Sequence, residues 1–211
     1  MKNKPTKIQL LTFLIVIIPA VWIIINYTQS AYDPYPTLFL TQFSGKCAIA
    51  FLLLSLACTP FYNIFNMNAL HQARRSFGLA SFYYAAIHAS TFIILDYRLN
   101  LDWLIPEFVN KLYLILGLAS FILLILLALT SGKTFQREFS KLWIRIHQLV
   151  YVVGMLALIH IYFAVKGDKS VAFLYLMIYI ALMLLRIPLI KDKISIKECP
   201  ICQKLNHWLI S

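Results

Sequence analysis

Residues 141–166 read KLWIRIHQLVYVVGMLALIHIYFAVK, and this stretch decides the fold class. Between residues 143 and 165 it is almost wholly apolar, which is long enough for a helix to cross about 30 Å of hydrocarbon. His147 and His160 lie inside this run. Because an imidazole within a bilayer is unfavourable unless it is bound by a partner, both histidines are candidate ligands.

The composition of the whole chain agrees with a membrane protein. Of its 211 residues, 61% are hydrophobic and 13% are charged, and the mean hydropathy is +0.78. Such a chain has too few polar residues to cover a water-facing surface, so the composition predicts an integral membrane protein. The net charge of +11 would suggest nucleic-acid binding in a soluble protein. Here the basic residues flank apolar runs, where they set orientation, and we set nucleic acid aside.

Six apolar runs predict an all-α bundle of six transmembrane helices. They cover residues 8–27, 47–64, 76–95, 112–130, 143–165 and 171–190. Each is close to the roughly 20 residues that a spanning helix needs. No small-residue cleavage site follows the first run, so we expect it to be retained. We assign residues 1–190 to one transmembrane domain and residues 191–211 to a short basic tail; no soluble domain or internal repeat is evident.

The distribution of basic residues predicts the orientation of these spans. Fourteen of the 19 Lys and Arg residues fall on the side that contains both termini, and five of the eight acidic residues fall on the other. Cytoplasmic loops are the ones enriched in Lys and Arg, so both termini are expected in the cytoplasm. The third and fifth spans then run in parallel, from inside to outside.

This topology gives the intramembrane polar residues two depths. His88 follows Arg74 on the third span, and His160 follows His147 on the fifth, at nearly the same spacing. At a rise of 1.5 Å per residue, each separation is about 20 Å. The sequence therefore predicts an outer layer that pairs His88 with His160. It also predicts an inner layer built from His147, with Arg74 or His71 as its partner on the third span.

Paired histidines from neighbouring helices suggest heme. Two neutral imidazoles are the axial ligands of a b-type heme, and the flat macrocycle fits between spans lined by apolar side chains. Hemes stacked at the two depths would carry electrons across the bilayer. Whether one heme or two are bound is left open by the sequence. A proton relay or a metal transporter also uses intramembrane histidines, but such proteins usually add carboxylates. None of the six runs contains Asp or Glu.

The fifth span raises a geometric difficulty. The spacing of its two histidines leaves His147 and His160 about 140° apart around a straight helix, so they do not share a face. Two solutions are open. Either the helix is distorted, with Gly154 as the candidate site, or the inner group lies at the helix entry with looser geometry.

The tail carries a second motif, Cys199-Pro200-Ile201-Cys202. Its spacing fits a redox pair or half of a zinc site with His207 as a third ligand, but a pair of cytosolic thiols on a mobile tail is the favoured interpretation. Neither a GxGxxG sequence nor a P-loop occurs. The electrons are therefore expected from a quinol, a flavin or another protein.

Several short motifs in a fixed order also carry a family resemblance. They are Asp33-Pro34, Phe43-x-Gly45-Lys46, Thr59-Pro60, Arg74-Arg75-x-Phe77-Gly78-Leu79, Ile87-His88, His147-Gln148-Leu149-Val150-Tyr151, Ile159-His160 and Val165-Lys166. Between residues 33 and 188 the chain resembles the heme-binding membrane subunits of the bacterial periplasmic methionine-sulfoxide reductase system (MsrQ type). These subunits belong to the ferric reductase-like transmembrane superfamily.

The resemblance implies six transmembrane helices, b-type heme, association with FMN and electron supply from the quinone pool in the inner membrane. The implied partner is a periplasmic molybdenum-cofactor reductase that repairs methionine sulfoxide. His88, His147 and His160 match the heme-associated histidines, and Arg74 matches an arginine near the inner heme. Lys46 stands where the pattern usually has Arg, and the cysteine-bearing tail is not typical of the family.

The sequence therefore predicts a b-type cytochrome subunit that passes electrons outward, with substrate reduction on a partner protein. A stand-alone transmembrane ferric or superoxide oxidoreductase is the first alternative. A His-dependent metal or proton transporter is the second.

Overall fold

The computed structural model describes residues 6–29, 36–187 and 200–210. Within these ranges the regular structure is entirely helical. The helices are α1 (Lys7–Gln29), α2 (Pro36–Phe65), α3 (Asn68–Ser90), α4 (Leu101–Asn110), α5 (Leu112–Leu129), α6 (Lys133–Glu138), α7 (Ser140–Ala164), α8 (Ser170–Leu184) and α9 (Pro200–Ile210). A π-helical segment, Thr91–Asp96, continues α3.

Five of these helices are long and apolar enough to cross a membrane. They lie at Lys7–Asn26, Pro36–Phe65, Asn68–Asp96, Leu112–Leu129 and Ser140–Ala164. The sixth predicted run is represented by α8, which has 15 residues and a length of about 22 Å. The chain is thus an all-helical, multi-pass membrane protein. The sixth span and the cytoplasmic position of both termini stay predictions, as does the division into a domain and a tail.

The 30-residue helix α2 is the centre of the bundle. One of its faces buries Cys47 and Phe51 against α1 and α3, in a cluster that also holds Tyr84. The other face buries Leu52 and Leu56 against α5, α7 and α8. Because α2 is apolar on both sides, it can be covered by helices all round. The outer helices keep their remaining apolar side chains exposed, as lipid-facing helices do.

Two antiparallel helix pairs build most of the bundle. Helix α2 packs along α3, and α5 packs along α7. The short α6 lies in the connection between α5 and α7, whereas α2 and α3 are joined directly through Asn66 and Met67.

The tail differs from the favoured expectation of a mobile segment. Residues 200–210 form α9, which packs on α1 and α3 and buries Leu209. The side-chain oxygen of Asn206 accepts a hydrogen bond of 3.1 Å from the backbone N–H of Ala69, in the first turn of α3. Two predictions lie outside the described residues: the thiol pair, because Cys199 is not described, and the family motif at residues 33–34.

Candidate functional site

The structure brings the two predicted outer histidines together. His88 lies near the end of α3, and His160 lies near the end of α7. Their ring centroids are 6.1 Å apart, and the ring planes are 82° to each other. Both rings are half-buried in the bundle.

Each imidazole is fixed by a backbone carbonyl of the paired helix. The Nδ1 atom of His88 lies 2.7 Å from the carbonyl oxygen of Thr41 on α2. The Nδ1 atom of His160 lies 2.7 Å from the carbonyl oxygen of Tyr113 on α5. A carbonyl oxygen only accepts, so both Nδ1 atoms carry the proton and both rings are held in one tautomer. Nε2 is then the nitrogen that each ring offers to a metal.

Two glycines let these rings lie against the helix backbone. A Cβ atom at Gly45 would lie 2.9 Å from Nδ1 of His88, and one at Gly117 would lie 2.7 Å from Nδ1 of His160. Both distances are far below ordinary non-bonded contact, about 3.5 Å. Sequence reasoning missed Thr41 and Tyr113, because a backbone carbonyl that accepts a hydrogen bond has no side-chain signature. It also missed Gly117, whose role depends on which ring packs against it.

The separation of the two rings fits a metal ligated from both sides. A metal bonded to one nitrogen of each imidazole, at about 2 Å per bond, holds the ring centroids roughly 6 Å apart. The observed 6.1 Å agrees with this. The described residues contain no group of three or more His, Cys, Asp or Glu that could hold a metal ion. A heme would bring its remaining iron ligands in its own macrocycle and would need only the two imidazoles from the protein.

A polar chain continues from His88 toward the end of the π-helical segment. The hydroxyl of Thr41 lies 3.1 Å from the hydroxyl of Thr91 and 3.5 Å from Oδ2 of Asp96. Asp96 is exposed at the end of the third candidate span. A carboxylate therefore lies near the outer rim of the paired histidines.

Another acidic group on this part of the chain is held by a neighbouring cation. Glu107, at the end of α4, forms an ion pair with Lys111. The hydrogen bond from Lys111 holds the pKa of the Glu107 carboxyl below its ordinary value. Glu107 thus stays ionised well below neutral pH.

The inner layer has a different geometry. His147 is half-buried in the second turn of α7, and its Nδ1 lies 3.1 Å from the carbonyl oxygen of Trp143 on the same helix. Arg74 is also half-buried, in the second turn of α3, and its backbone carbonyl accepts a hydrogen bond of 2.9 Å from the hydroxyl of Ser55 on α2. His71 is exposed and packs against the ring of Tyr62. Of the two partners predicted on the third span, Arg74 is the half-buried one, and its pairing with His147 stays a prediction.

Of the two solutions open for the fifth helix, a distortion at Gly154 is not what the structure shows. Helix α7 runs as one α-helix from Ser140 to Ala164. Gly154 is buried, and a Cβ atom there would lie 2.7 Å from Cε2 of Tyr179. This glycine lets α8 approach α7 closely. Along one continuous α-helix His147 and His160 lie on different faces, and an inner group at the helix entry stays a prediction.

A second arginine joins the inner part of the bundle. One terminal nitrogen of Arg186 donates to the hydroxyl of Tyr151, and the other donates to the carbonyl oxygen of Leu56 at 2.6 Å. This guanidinium ties the end of α8 to α7 and α2. Sequence reasoning used Arg186 only to count charges, although Tyr151 belongs to the family motif.

Comparison with known proteins agrees with this architecture. The family described as "Ferric reductase like transmembrane component" matches residues 44–158. The heme-binding subunit MsrQ of protein-methionine-sulfoxide reductase from Pectobacterium carotovorum is 31% identical over 86% of this chain and 92% of its own length. MsrQ from Xanthomonas oryzae is 32% identical over 73% of this chain and 71% of its length. The magnetosome protein MamZ of Magnetospirillum gryphiswaldense is 30% identical over 78% of this chain, which corresponds to 26% of MamZ. The chain therefore belongs to the ferric reductase-like transmembrane family, among the relatives of the MsrQ heme-binding subunits.

Proposed function

We propose that this chain is a b-type cytochrome of the bacterial inner membrane. It passes electrons from the quinone pool, or from a reduced flavin, to a periplasmic molybdenum-cofactor methionine-sulfoxide reductase. The observation that carries the proposal is the pair of His88 and His160, whose rings lie 6.1 Å apart. The similarity to subunits named as heme-binding components of a methionine-sulfoxide reductase supports both the cofactor and the partner.

His88 and His160 would be the axial ligands of the outer heme. When bound, the heme supplies a one-electron carrier that cycles between two oxidation states of iron. The carbonyl groups of Thr41 and Tyr113 hold the imidazoles as Nδ1–H tautomers. A hydrogen bond of this kind orients a ligating ring and raises its basicity. The half-buried setting limits contact of water with the ligands.

His147 and Arg74 would hold the inner group, either a second heme or FMN. His147 supplies a ring nitrogen, and Arg74 supplies a positive charge suited to a propionate or a phosphate. Arg186 adds a second guanidinium in the same half of the bundle. These residues differ in kind from the outer pair, so the inner group would have its own optical spectrum and potential.

Reduction of methionine sulfoxide would take place on the partner. The chain would then act as the electron-transfer subunit of a heterodimer. It would bind its partner at the periplasmic surface of the inner membrane. Both candidate layers consist of ligating and charged groups within the bundle.

A stand-alone transmembrane ferric or superoxide oxidoreductase is the second candidate. The description of the matching family, ferric reductase like, favours it. In this case the outer heme would deliver electrons directly to a soluble acceptor. A metal transporter is disfavoured, since the described residues contain no group of three or more His, Cys, Asp or Glu that could hold a metal ion.

Optical spectroscopy of the purified protein tests the proposal. After reduction with dithionite, the protein should display the α-band of a b-type heme, and its absence would overturn the proposal. In proteoliposomes, a quinol should reduce this heme. The partner reductase and methionine sulfoxide, added outside, should then reoxidise it. Equally fast reoxidation by a ferric chelate or superoxide without the partner would favour the second candidate.

A further inference from the structure

The surroundings of the two outer histidines recur along the chain at a fixed interval. In both cases the carbonyl partner lies 47 residues before the histidine, at Thr41 for His88 and at Tyr113 for His160. The glycine beneath the ring lies one helical turn after the carbonyl partner, at Gly45 and at Gly117. The interval that separates the two histidines thus also separates the two carbonyls and the two glycines.

A second contact repeats with the same interval. The hydroxyl of Ser81 on α3 donates to the carbonyl oxygen of Ala48 on α2 at 2.9 Å. The hydroxyl of Ser120 on α5 lies 3.4 Å from the carbonyl oxygen of Val153 on α7. The sequence interval between His88 and His160 also separates Ala48 from Ser120, and Ser81 from Val153. Equivalent positions therefore contact each other in both helix pairs. The serine lies on the second helix of the first pair, α3, but on the first helix of the second pair, α5.

The first residues of α3 and α7 and a short sequence follow the same interval. The step from Asn68, where α3 begins, to Ser140, where α7 begins, equals the step between the histidines. Ala85-x-Ile87-His88 matches Ala157-x-Ile159-His160. Elsewhere most equivalent positions hold different residues, which is why the repeat is not evident in the sequence.

From these contacts we infer that the chain contains two copies of a two-helix unit, residues 40–90 and 112–162, and that Gly45 and Gly117 are matched positioning residues for the two imidazoles. The inference rests on the proposed function, because it concerns ligands of the same heme. In the predicted topology both units run in the same direction, so their axis lies along the membrane normal. A two-fold relation of this kind puts equivalent residues at one depth on facing helices. That is the arrangement needed for two axial ligands.

The two glycines act sterically, because the absence of a side chain leaves room for the imidazole rings. An alanine at position 45 or 117 would put a methyl group 2.9 or 2.7 Å from a histidine Nδ1. The ring would have to move away, and its 2.7 Å hydrogen bond to the carbonyl would be lost. The tautomer and the direction of Nε2 would then no longer be fixed.

The repeat does not extend to the inner layer. The position equivalent to His147 is Arg75, and the position equivalent to Arg74 is Ile146. The duplication therefore provides a matched pair of imidazoles only at the outer depth.

Alanine substitution of the glycines tests the inference. Gly45→Ala and Gly117→Ala should each lower the heme content per chain and shift the low-spin EPR signal of the oxidised protein, in the same direction. Gly78→Ala is the matched control, because its Cβ would meet only Oγ of Ser55, at 3.4 Å. Gly154→Ala is a second control, since it would meet Tyr179 and not a histidine. Both controls should keep the wild-type EPR signal.

A double-mutant cycle in heme-free protein separates this role from general packing. Gly45→Ala should lower the melting temperature in the wild-type background but much less in the His88→Ala background, where no ring remains to be displaced. An equal loss of melting temperature in both backgrounds would overturn the inference. So would a wild-type EPR signal from the heme bound by Gly45→Ala and Gly117→Ala. A wild-type protein without heme would instead overturn the proposed function, while the cycle would still report on the contact.

Discussion

The imidazole of His88 faces that of His160 at a centroid distance of 6.1 Å, with the ring planes almost perpendicular at 82°. Each ring is tied to a carbonyl of the other helix in its own pair, at 2.7 Å in both cases. The two residues therefore have equivalent hydrogen-bonding environments. Their equivalence leads to the first prediction.

Replacing either outer histidine should abolish the same heme. His88→Ala and His160→Ala would each remove one of the two proposed heme ligands, so we expect both variants to lose the low-spin b-type signal of the outer heme. EPR and reduced-minus-oxidised difference spectra measure this. His71→Ala is the control, because His71 is exposed and packs on Tyr62. An outer-heme signal that persists in either variant would contradict the assignment.

Replacing His147 should remove the inner group and spare the outer one. His147 lies in the second turn of α7 and Arg74 in the second turn of α3, on the helices that carry His160 and His88 near their ends. We expect His147→Ala to lose one heme, or FMN, per chain, and Arg74→Ala to weaken its retention. Heme and flavin stoichiometry of the purified variants provides the measurement. Unchanged stoichiometry in His147→Ala would argue against an inner layer.

Neutralising Asp96 should raise the potential of the outer heme. The Asp96 carboxylate lies 3.5 Å from the hydroxyl of Thr41, whose carbonyl binds His88. A nearby negative charge stabilises the oxidised, more positive form of a heme. After solvent screening we expect Asp96→Asn to raise the midpoint potential by about 20–40 mV. Redox titration measures the shift; Asp102→Asn, on an exposed position of α4, is the control. A fall in potential would count against this placement.

Removing the side chain of Asn206 should loosen α9. Its oxygen accepts from the N–H of Ala69, one of the first-turn donors that have no partner within α3. Loss of such a cap destabilises a protein by about 1 kcal/mol, so Asn206→Ala should lower the melting temperature and keep the heme spectrum. Gln203→Ala, an exposed position on the same helix, should leave both unchanged. Equal melting of the two variants would mean that this contact does not hold α9.

Removing the hydroxyl of Tyr151 should destabilise the inner part of the bundle. The hydroxyl accepts from Arg186, and a hydrogen bond to a charged group contributes roughly 1.5–3 kcal/mol. Tyr151→Phe should therefore lower the melting temperature. Tyr83→Phe should not, since Tyr83 is 59% exposed. If both variants melt together, the bond to Arg186 adds nothing to stability.

Sequence reasoning reached the outer pair through depth. Counting residues from charged helix ends is enough to put His88 and His160 at one level, because the rise per residue of a helix is constant. The same reasoning left a distortion at Gly154 open as one of two solutions, whereas the structure has an uninterrupted helix there and a close approach of Tyr179. It also missed Thr41 and Tyr113, since a backbone carbonyl is present at every position and leaves no trace in the sequence.

The sequence by itself determined that the chain is a helical membrane protein, and it predicted histidines at two depths within the apolar runs. The length of an apolar run and the charges that flank it can be evaluated for each helix separately. Only the tertiary structure decided which helices face each other, and with that which carbonyl, glycine and arginine serve each layer. Contacts between helices depend on rotation and register, and several rotations satisfy the same apolar composition. The stretch at residues 141–166 thus supplies two imidazoles, but its neighbours α3, α5 and α8 set the surroundings of each one.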